Sequence, residues 1–235
     1  MPAGYTYAQG ACFNIGYTTA YHCLIERGKL QRGETCLIHG ATGGMGLAAV
    51  HLAKVIGARV IATGGSDEKL AVVKAQGADC VINYNTDEKF AKAVKDATGG
   101  KGADVIFDPV GGAVFDQSIS AAAWGGRILV VGFTSGVRPQ APANIVLIKG
   151  LSVLGCRAGE IIRRTPNGIK MVAEPRMKQL LEWANAGKLV PYVSHQFPLE
   201  QIGGAFKALL ERQIIGRVVV NLELDQLVLP STAKL

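Results

Sequence analysis

A glycine-rich turn between two apolar segments carries the clearest chemical signal in this sequence. Residues 35–38 predict a buried strand, residues 40–46 read GATGGMG, and a helix that is apolar on nearly all sides follows. The spacing Ala41-x-Gly43-x-x-Gly46 differs from the dinucleotide-binding fingerprint by one methyl group. In that fingerprint the second glycine lets the backbone approach a diphosphate, and the third lets the helix pack on its strand. Because the first amides of a helix attract phosphate, the pattern predicts a dinucleotide site, with a structural turn as the alternative.

The turn after the next predicted strand bears on which dinucleotide is preferred. An NAD site usually has an acidic residue here to hold the ribose 2′-hydroxyl. Residues 63–66 instead read TGGS, and Lys69 follows one turn later. Small donors with a cation suit a 2′-phosphate, so we expect NADPH. The alternative is that Ser66 only caps a helix and Lys69 is solvated, and an inward-facing Asp67 or Glu68 would weaken the preference.

Strands and helices alternate along most of the chain. Apolar segments predict six strands, at 35–38, 59–63, 80–83, 103–108, 127–133 and 151–155. This alternation is typical of an α/β fold with a doubly wound parallel sheet. Ligands of such sheets bind beyond the carboxyl ends of the strands. We therefore expect one crevice, lined by the turns at 41–46, 63–66, 83–84, 108–112, 132–134 and 155–157.

The remaining segments divide the chain into three predicted parts. Helices are predicted at 14–30, 67–76, 86–98, 113–123, 175–186 and 200–211, with a loop at 138–143 and a late strand at 216–220. From Gly187 the sequence changes to short extended pieces. We expect a Rossmann domain at 14–187, a different segment at 188–221 and a loose tail at 222–235.

The composition is that of a globular protein with a sizeable core. Of 235 residues, 49% are hydrophobic and 18% charged, and no apolar run reaches the ~18 residues needed to span a bilayer. Five scattered cysteines form no C-x-x-C pair, and the four histidines show no ligand spacing with a carboxylate or thiol. We therefore expect reduced thiols and no metal site. Because residues 1–16 lack a basic leader with an apolar core, we expect a cytoplasmic protein.

The net charge of +7 introduces a second class of partner, nucleic acid. The basic residues are spread along the chain, however, and Arg163-Arg164 is the one tight pair. RNA binding therefore stays a minor alternative. A positive field around an anionic cofactor accounts for the charge more simply.

Seven motifs follow one another along residues 14–221. They are GYTTAYH at 16–22, GATGGMG at 40–46, DCVINY at 79–84, DPVGG at 108–112, GRILVVGF at 126–133, GCR at 155–157 and GRVVV at 216–220. As an ordered set they resemble the medium-chain reductases of the zeta-crystallin, or NADPH:quinone oxidoreductase, type. The resemblance implies hydride transfer from NADPH to a quinone or an activated carbon–carbon double bond, without zinc.

The resemblance also implies positions for the cofactor. Ala41, Thr42, Gly43, Gly44 and Met45 would meet the diphosphate, and Gly65, Ser66, Lys69 and Tyr84 would surround the 2′-phosphate and ribose. Val110 and Gly112 would flank the adenosine side. Gly132, Phe133, Thr134, Cys156 and Arg157 would approach the nicotinamide half, with Thr19 near the carboxamide. Tyr84 as an ordinary strand-end aromatic and Arg157 as a surface cation are the open alternatives.

The sequence departs from the family's pattern in one respect. The family places a catalytic domain of GroES-like fold, of about a hundred residues, before this region. These residues do not contain it, and 187–221 is expected to be the segment that returns to it. No His, Tyr or Glu is singled out as a general acid, so the catalytic residue stays unknown. A non-catalytic NADPH-binding module is thus the main alternative, and by resemblance we expect a homodimer through the edge strand 151–155.

Overall fold

The fold is a parallel α/β sheet flanked by helices, in a computed structural model that describes residues 1–87 and 89–229. Within these residues six strands pair in the order β3-β2-β1-β4-β5-β6, and all five pairings are parallel. The strands are β1 (Thr35–Ile38), β2 (Arg59–Gly64), β3 (Cys80–Asn83), β4 (Ala103–Asp108), β5 (Ala122–Val130) and β6 (Ser152–Gly155). This order is that of the dinucleotide-binding folds, so the predicted fold class is confirmed.

Alternating side chains divide the core between the two faces of the sheet. Cys36, Ile38 and Phe107 belong to one buried cluster, whereas Leu37 and Ile106 belong to the other. Successive residues of a strand point to opposite faces, so each strand contributes to both clusters. Because the strands are buried on both faces, their sequences are apolar without interruption.

Helices cover both faces. Residues of α1, α2 and α8 join the first cluster, and residues of α4 and α5 join the second. The helices are α1 (Tyr7–Tyr21), α2 (Gly44–Ile56), α3 (Asp67–Ala75), α4 (Phe90–Ala97), α5 (Gly112–Ala121), α6 (Ala143–Lys149), α7 (Ala158–Arg164), α8 (Glu174–Asn185) and α9 (Ile202–Leu210). Two π-helical segments, His22–Arg27 and Ile169–Ala173, and a 3₁₀ turn, Leu199–Gln201, adjoin them. No helix in the described ranges is long and apolar enough to cross a membrane.

The first helix begins seven residues earlier than the predicted 14, at Tyr7. A capping box explains the difference: the Thr6 hydroxyl accepts from the Gln9 amide, and the Gln9 side chain accepts from the Thr6 amide. The helix then widens into the π-helical segment His22–Arg27 rather than continuing to residue 30. The predicted boundaries were therefore wrong at both ends.

Further differences lie on both sides of β4. The fifth strand spans Ala122–Val130 instead of 127–133, so the predicted end of that strand is a loop. Helices α6 and α7 were not predicted, and α4 begins at Phe90 rather than 86. No residue of α6 or α7 is buried, and each helix is only seven residues long, too short for a clear one-sided periodicity.

A second, small sheet follows α8. Strands β7 (Val193–Phe197) and β8 (Arg217–Val220) are parallel, and Val228 pairs with Gln196. The Gly216 amide donates to the Thr42 carbonyl at 2.8 Å and joins this unit to the main sheet. Residues 230–235 of the predicted tail lie outside the described part of the chain, and the three predicted parts (14–187, 188–221 and 222–235) stay predictions.

Candidate functional site

The turns that follow the six strands form one continuous row at the carboxyl edge of the sheet. Contacts join them in strand order. A Cβ placed on Gly65 would lie 3.3 Å from Tyr84, one on Gly64 2.9 Å from Thr42, and one on Gly40 3.6 Å from Val110. The Thr134 amide donates to Pro109 at 3.0 Å, and the Cys156 amide donates to Val130 at 3.0 Å. The expected crevice-lining turns are therefore adjacent in space.

The turn between β1 and α2, residues 40–46, is called the glycine loop below. The Gly43 amide donates to the Gly40 carbonyl at 3.1 Å. The helical hydrogen bonds of α2 begin with the Leu47 amide, which donates to the Gly43 carbonyl at 2.9 Å. No side chain of the described residues caps this helix, and its first turn contains no acidic residue. The amides of the first turn lack intrahelical acceptors, and the helix dipole makes this end positive. The geometry suits a phosphate group.

The glycines of this loop have different structural roles. Around Gly43 a Cβ would come no closer than 3.5 Å to any atom, so its surface is open. On Gly46 a Cβ would lie 2.3 Å from the Gly40 oxygen and 2.6 Å from the Ala41 Cα, both backbone atoms. Gly46 thus allows α2 to pack on its strand, as its place in the fingerprint predicts. The space beside Gly44 is filled by the side chain of Arg217.

The end of β2 brings together the residues expected at the adenosine phosphate. Ser66 is the N-cap of α3, where its hydroxyl accepts from the Lys69 amide at 3.4 Å. Gly65 lies against Tyr84 and Asn85, and the Asn85 side chain donates to the Gly65 carbonyl at 2.9 Å. Gly65, Ser66 and Tyr84 are therefore neighbours, and Ser66 also has the capping role named as its alternative.

The charged residues near this turn already have partners within the chain. The Lys69 ammonium donates to the carbonyls of Arg212 and Ile214, the second at 3.2 Å, and partial burial lowers its pKa. An ammonium has three protons, so one donor is left. Asp67 is exposed and accepts from the Asn83 side chain at 2.9 Å, at the end of β3. One carboxylate therefore does lie at this end of the row.

The loops after β4 and β5 are joined into one layer. Asp108 is buried, which raises the pKa of its carboxyl group, and Oδ1 accepts from the amides of Val110 at 2.7 Å and Gly111 at 3.0 Å. The Ser135 amide donates to the Val110 carbonyl at 3.0 Å. Gly112 is buried against Ser135 and Val137, whereas Phe133 is 48% exposed. Gly132 and Thr134 both lie against Pro109.

The residue after β6 is a buried thiol. The pKa of Cys156 is lowered, chiefly because the Cys23 thiol forms a hydrogen bond with it. The charge of Arg27 also lowers this pKa, whereas burial raises it. Arg157 is 80% exposed and lies 3.8 Å from Glu160, so its side chain is a surface cation in this structure. Thr19 is half-buried near the end of α1 and forms no hydrogen bond with the row among the described residues.

Sequence reasoning missed the wall that faces this row. Residues 212–217 lie opposite the glycine loop and α3: Lys69 reaches the carbonyls of Arg212 and Ile214, and Gly216 binds Thr42. These contacts join residues about 140 to 175 positions apart, which no local pattern reports. The one signal was the motif GRVVV at 216–220, which was recognised by resemblance without a role.

The described residues do not provide a metal site. No group of three or more His, Cys, Asp or Glu side chains in residues 1–87 and 89–229 could hold a metal ion. Two of the histidines are instead hydrogen-bonded within the core, His39 to Thr63 and Ser118, and His51 to Tyr17 and Gln76. These residues do not fit zinc.

Comparison with known proteins gives a consistent family. The family described as zinc-binding dehydrogenase matches residues 44–174, from the start of α2 to the start of α8. The chain is 40% identical to the quinone oxidoreductase-like protein 2 homolog of Nematostella vectensis over 223 residues, which are 94% of this chain and 60% of that protein. The chain thus spans about 60% of the length of this curated relative.

Solved structures agree with the fold. A mycobacterial protein complexed with NADPH matches with a TM-score of 0.83 and 28% identity, over 94% of this chain and 67% of that one. The JamJ enoyl reductase matches with a TM-score of 0.80 and 31% identity, over 94% of this chain and 64% of that one. The resemblance inferred from the motifs is confirmed at the level of family and fold.

Proposed function

Because this chain belongs to the family of zinc-binding dehydrogenases, we propose that it forms the NADPH-binding part of an oxidoreductase that transfers hydride to a quinone or an activated alkene. The names of the relatives support this reaction class: one is a quinone oxidoreductase-like protein and one an enoyl reductase, and a mycobacterial structure contains NADPH. The chain spans 60% of the Nematostella relative. The primary proposal is therefore that this chain binds the cofactor, and turnover is a second proposal.

The uncapped amino end of α2 carries the proposal. It follows the central strand β1 at the point where the strand order turns from β2 on one side to β4 on the other. Dinucleotides bind at this switch point, with the diphosphate on the helix amides. Gly43 is exposed and unobstructed there, and Thr42 and Met45 are half-buried beside it. We assign the diphosphate to these residues.

NADPH is the preferred dinucleotide in this proposal because the second strand ends without an acid. Gly65, Ser66 and Tyr84 leave a polar, uncharged surface, and the third proton of Lys69 is free to meet a phosphate. Asp67 acts against this preference, since a carboxylate near a 2′-phosphate is repulsive. Its hydrogen bond to Asn83 holds it at the neighbouring strand.

The nicotinamide half is assigned to the loops after β5 and β6. Phe133 offers an exposed apolar face, and the backbone of Thr134 is fixed by Pro109. When bound, the dinucleotide supplies the hydride, and the chain's own residues bind, orient and shield it.

Binding and turnover should be measured separately on the purified 235-residue chain. We expect a change in NADPH fluorescence on titration with the protein, and a weaker response for NADH. Steady-state oxidation of NADPH is then followed with a simple quinone and with a simple enone. No binding of either dinucleotide would refute the proposal. Binding without turnover would favour the alternative, a cofactor-binding module.

A further inference from the structure

Two thiols from distant parts of the chain lie in contact beside the carboxyl end of β6. Cys23 belongs to the π-helical segment His22–Arg27, and Cys156 directly follows the strand. The Cys23 thiol donates a hydrogen bond to the Cys156 sulfur, and both residues belong to the same buried cluster. Because the two residues are far apart in sequence, no C-x-x-C spacing marks them as a pair.

Contacts other than the thiols hold the two backbones in place. Arg27 Nε donates to the Gly155 carbonyl at 3.2 Å, and the Arg127 side chain donates to the Gly28 carbonyl at 2.7 Å. On the other side, the Cys156 amide is hydrogen-bonded to the last residue of β5 at 3.0 Å. The sulfur atoms therefore need only a small movement to reach the separation of about 2.0 Å that a disulfide requires.

The two thiols differ in acidity. Cys156 accepts the hydrogen bond of Cys23 and lies near the charge of Arg27, so its pKa is lowered although burial opposes this. The pKa of Cys23 is raised, first by its hydrogen bond to Cys156 and then by burial. Glu26 and Arg176, which also act on Cys23, form an ion pair and change its pKa in opposite directions. Since the thiolate is the reactive form, Cys156 is the nucleophile of the pair.

Exposure differs in the same sense as acidity. Cys156 is 8% exposed at the carboxyl edge of the sheet, whereas Cys23 is fully buried behind it. A small oxidant therefore reaches Cys156 before it reaches Cys23. All five cysteines are free in the structure, which thus shows the reduced state of the pair.

We propose that Cys23 and Cys156 form a redox-active dithiol that a hydroperoxide converts to a disulfide. The Cys156 thiolate attacks the peroxide, so that an S–O bond forms and the O–O bond breaks. The leaving alkoxide takes up the proton that Cys156 released, and Cys156 becomes a sulfenic acid. The Cys23 sulfur then attacks Cys156: an S–S bond forms, the S–O bond breaks, and water leaves with the Cys23 proton. Two thiols and one hydroperoxide thus give one disulfide, one alcohol and one water.

This dithiol is independent of the proposed function, because neither step uses the dinucleotide. The disulfide would join the π-helical segment covalently to the turn after β6. Its formation can therefore be measured on the protein without cofactor or substrate, and failure of either proposal leaves the other standing.

The test uses the purified 235-residue chain, reduced, freed of reductant and treated with a small excess of hydrogen peroxide. The remaining thiols are alkylated in denaturant and counted by intact mass. We expect two of the five thiols to be lost, a non-reducing digest to contain the peptides of Cys23 and Cys156 linked to each other, and dithiothreitol to restore all five. Cys80→Ser, which removes a more exposed thiol, is the matched control and should leave this linkage unchanged.

Two variants separate the roles of the thiols. Cys23→Ser keeps a hydroxyl donor for Cys156 but cannot form the disulfide, so Cys156 should stop at the sulfenic acid, which dimedone traps. Cys156→Ser should give no dimedone adduct on Cys23. Wild-type protein that keeps all five thiols after peroxide treatment would overturn the proposal, as would a linkage that replaces either cysteine by Cys12, Cys36 or Cys80. Absence of a dimedone adduct at Cys156 in Cys23→Ser would also contradict it.

Discussion

His39, the residue before the glycine loop, shows how a side chain with catalytic chemistry is used for structure. It is buried, with Nδ1 2.8 Å from Thr63 Oγ1 and Nε2 2.8 Å from Ser118 Oγ. Burial lowers the pKa of His39 to about 3, so the ring is neutral at every physiological pH. It ties β1, β2 and α5 together beneath the row of turns and is not available for proton transfer.

The pH dependence of stability should report this neutral ring. The unfolded chain takes up a proton near its ordinary pKa of 6.5, while folded His39 does so only near 3. Stability is therefore full above pH 6.5 and falls as the pH is lowered through this window, by up to about 1.4 kcal/mol per unit from this group. His51, whose pKa burial also lowers, contributes in the same direction.

The variant His39→Gln isolates the contribution of this residue. Its amide can still meet Thr63 and Ser118 but does not titrate. Urea unfolding at about pH 5 and about pH 7 should show a smaller pH effect in the variant than in wild type. The same slope in both proteins would mean that His39 is protonated in the native state.

Lys69 is the residue on which cofactor preference depends. We expect Lys69→Ala to weaken NADPH binding by about 1.5–3 kcal/mol, the contribution of a hydrogen bond to a charged group, and to leave NADH nearly unchanged. Fluorescence titration with both cofactors measures this difference. Lys74→Ala, an exposed lysine of the same helix, is the matched control. Equal losses for both cofactors would show that Lys69 only holds the 212–214 turn in place.

At the scale of the element, the glycine loop combines a packing requirement with a binding surface. Gly46→Ala would force a methyl group within 2.3 Å of the Gly40 carbonyl, so backbone must move. We expect this change to lower the free energy of unfolding by about 1–3 kcal/mol, measured by urea denaturation.

Gly43→Ala is the matched control for Gly46→Ala. Gly43 has extended backbone and an unobstructed Cβ position, so stability should change by less than about 1 kcal/mol. Its methyl group would face the proposed diphosphate, however, and cofactor affinity should fall. If Gly43→Ala destabilised the protein as much as Gly46→Ala, the distinction between packing and binding glycines would be wrong.

The first helix shows what a local pattern can and cannot report. Thr6 and Gln9 form a capping box, and both residues are visible in the sequence. This pair marks the start of the helix, whereas the apolar face at residues 17–25 does not. By contrast, no local pattern identifies the π-helical turn at 22–27, which contacts α8 and β6 through residues distant in sequence. Glu26 pairs there with the buried Arg176, and Arg27 with the Gly155 carbonyl.

At the scale of the whole molecule, β6 leaves one edge of the sheet without a partner strand among the described residues. Val153 of this strand is 37% exposed, and Leu147 of α6, the preceding helix, is 81% exposed. An exposed sheet edge with apolar neighbours favours pairing with a second copy. We expect sedimentation at micromolar concentration to give about twice the 24.7 kDa of one chain.

A charge at the edge should weaken that association. Val153→Lys is expected to shift the equilibrium toward the monomer, because lysines on edge strands oppose pairing. Leu210→Lys replaces an exposed apolar side chain at the end of α9, which packs on β7 and β8 and not on this edge, and should leave the association unchanged. Wild-type protein that sediments as a monomer would refute the dimer.

The sequence alone determined the parallel sheet, the place of the glycine loop and the set of turns beside it. These follow from local rules: uninterrupted apolar strands, glycines at fixed spacing and helices between them. Local order is enough because a parallel sheet brings every carboxyl-end turn to the same edge. The prediction that Gly46 packs the helix on its strand was correct for the same reason.

Only the tertiary structure decided what faces that edge. Lys69 meets the 212–214 turn, Gly216 binds the glycine loop and Arg217 fills the space beside Gly44. These contacts are made by residues about 140 to 175 positions apart in sequence, and their positions depend on how the small β7–β8 sheet packs against α1 and the glycine loop. No periodicity encodes that packing, because it arises from the complementarity of two surfaces that exist only after each has folded.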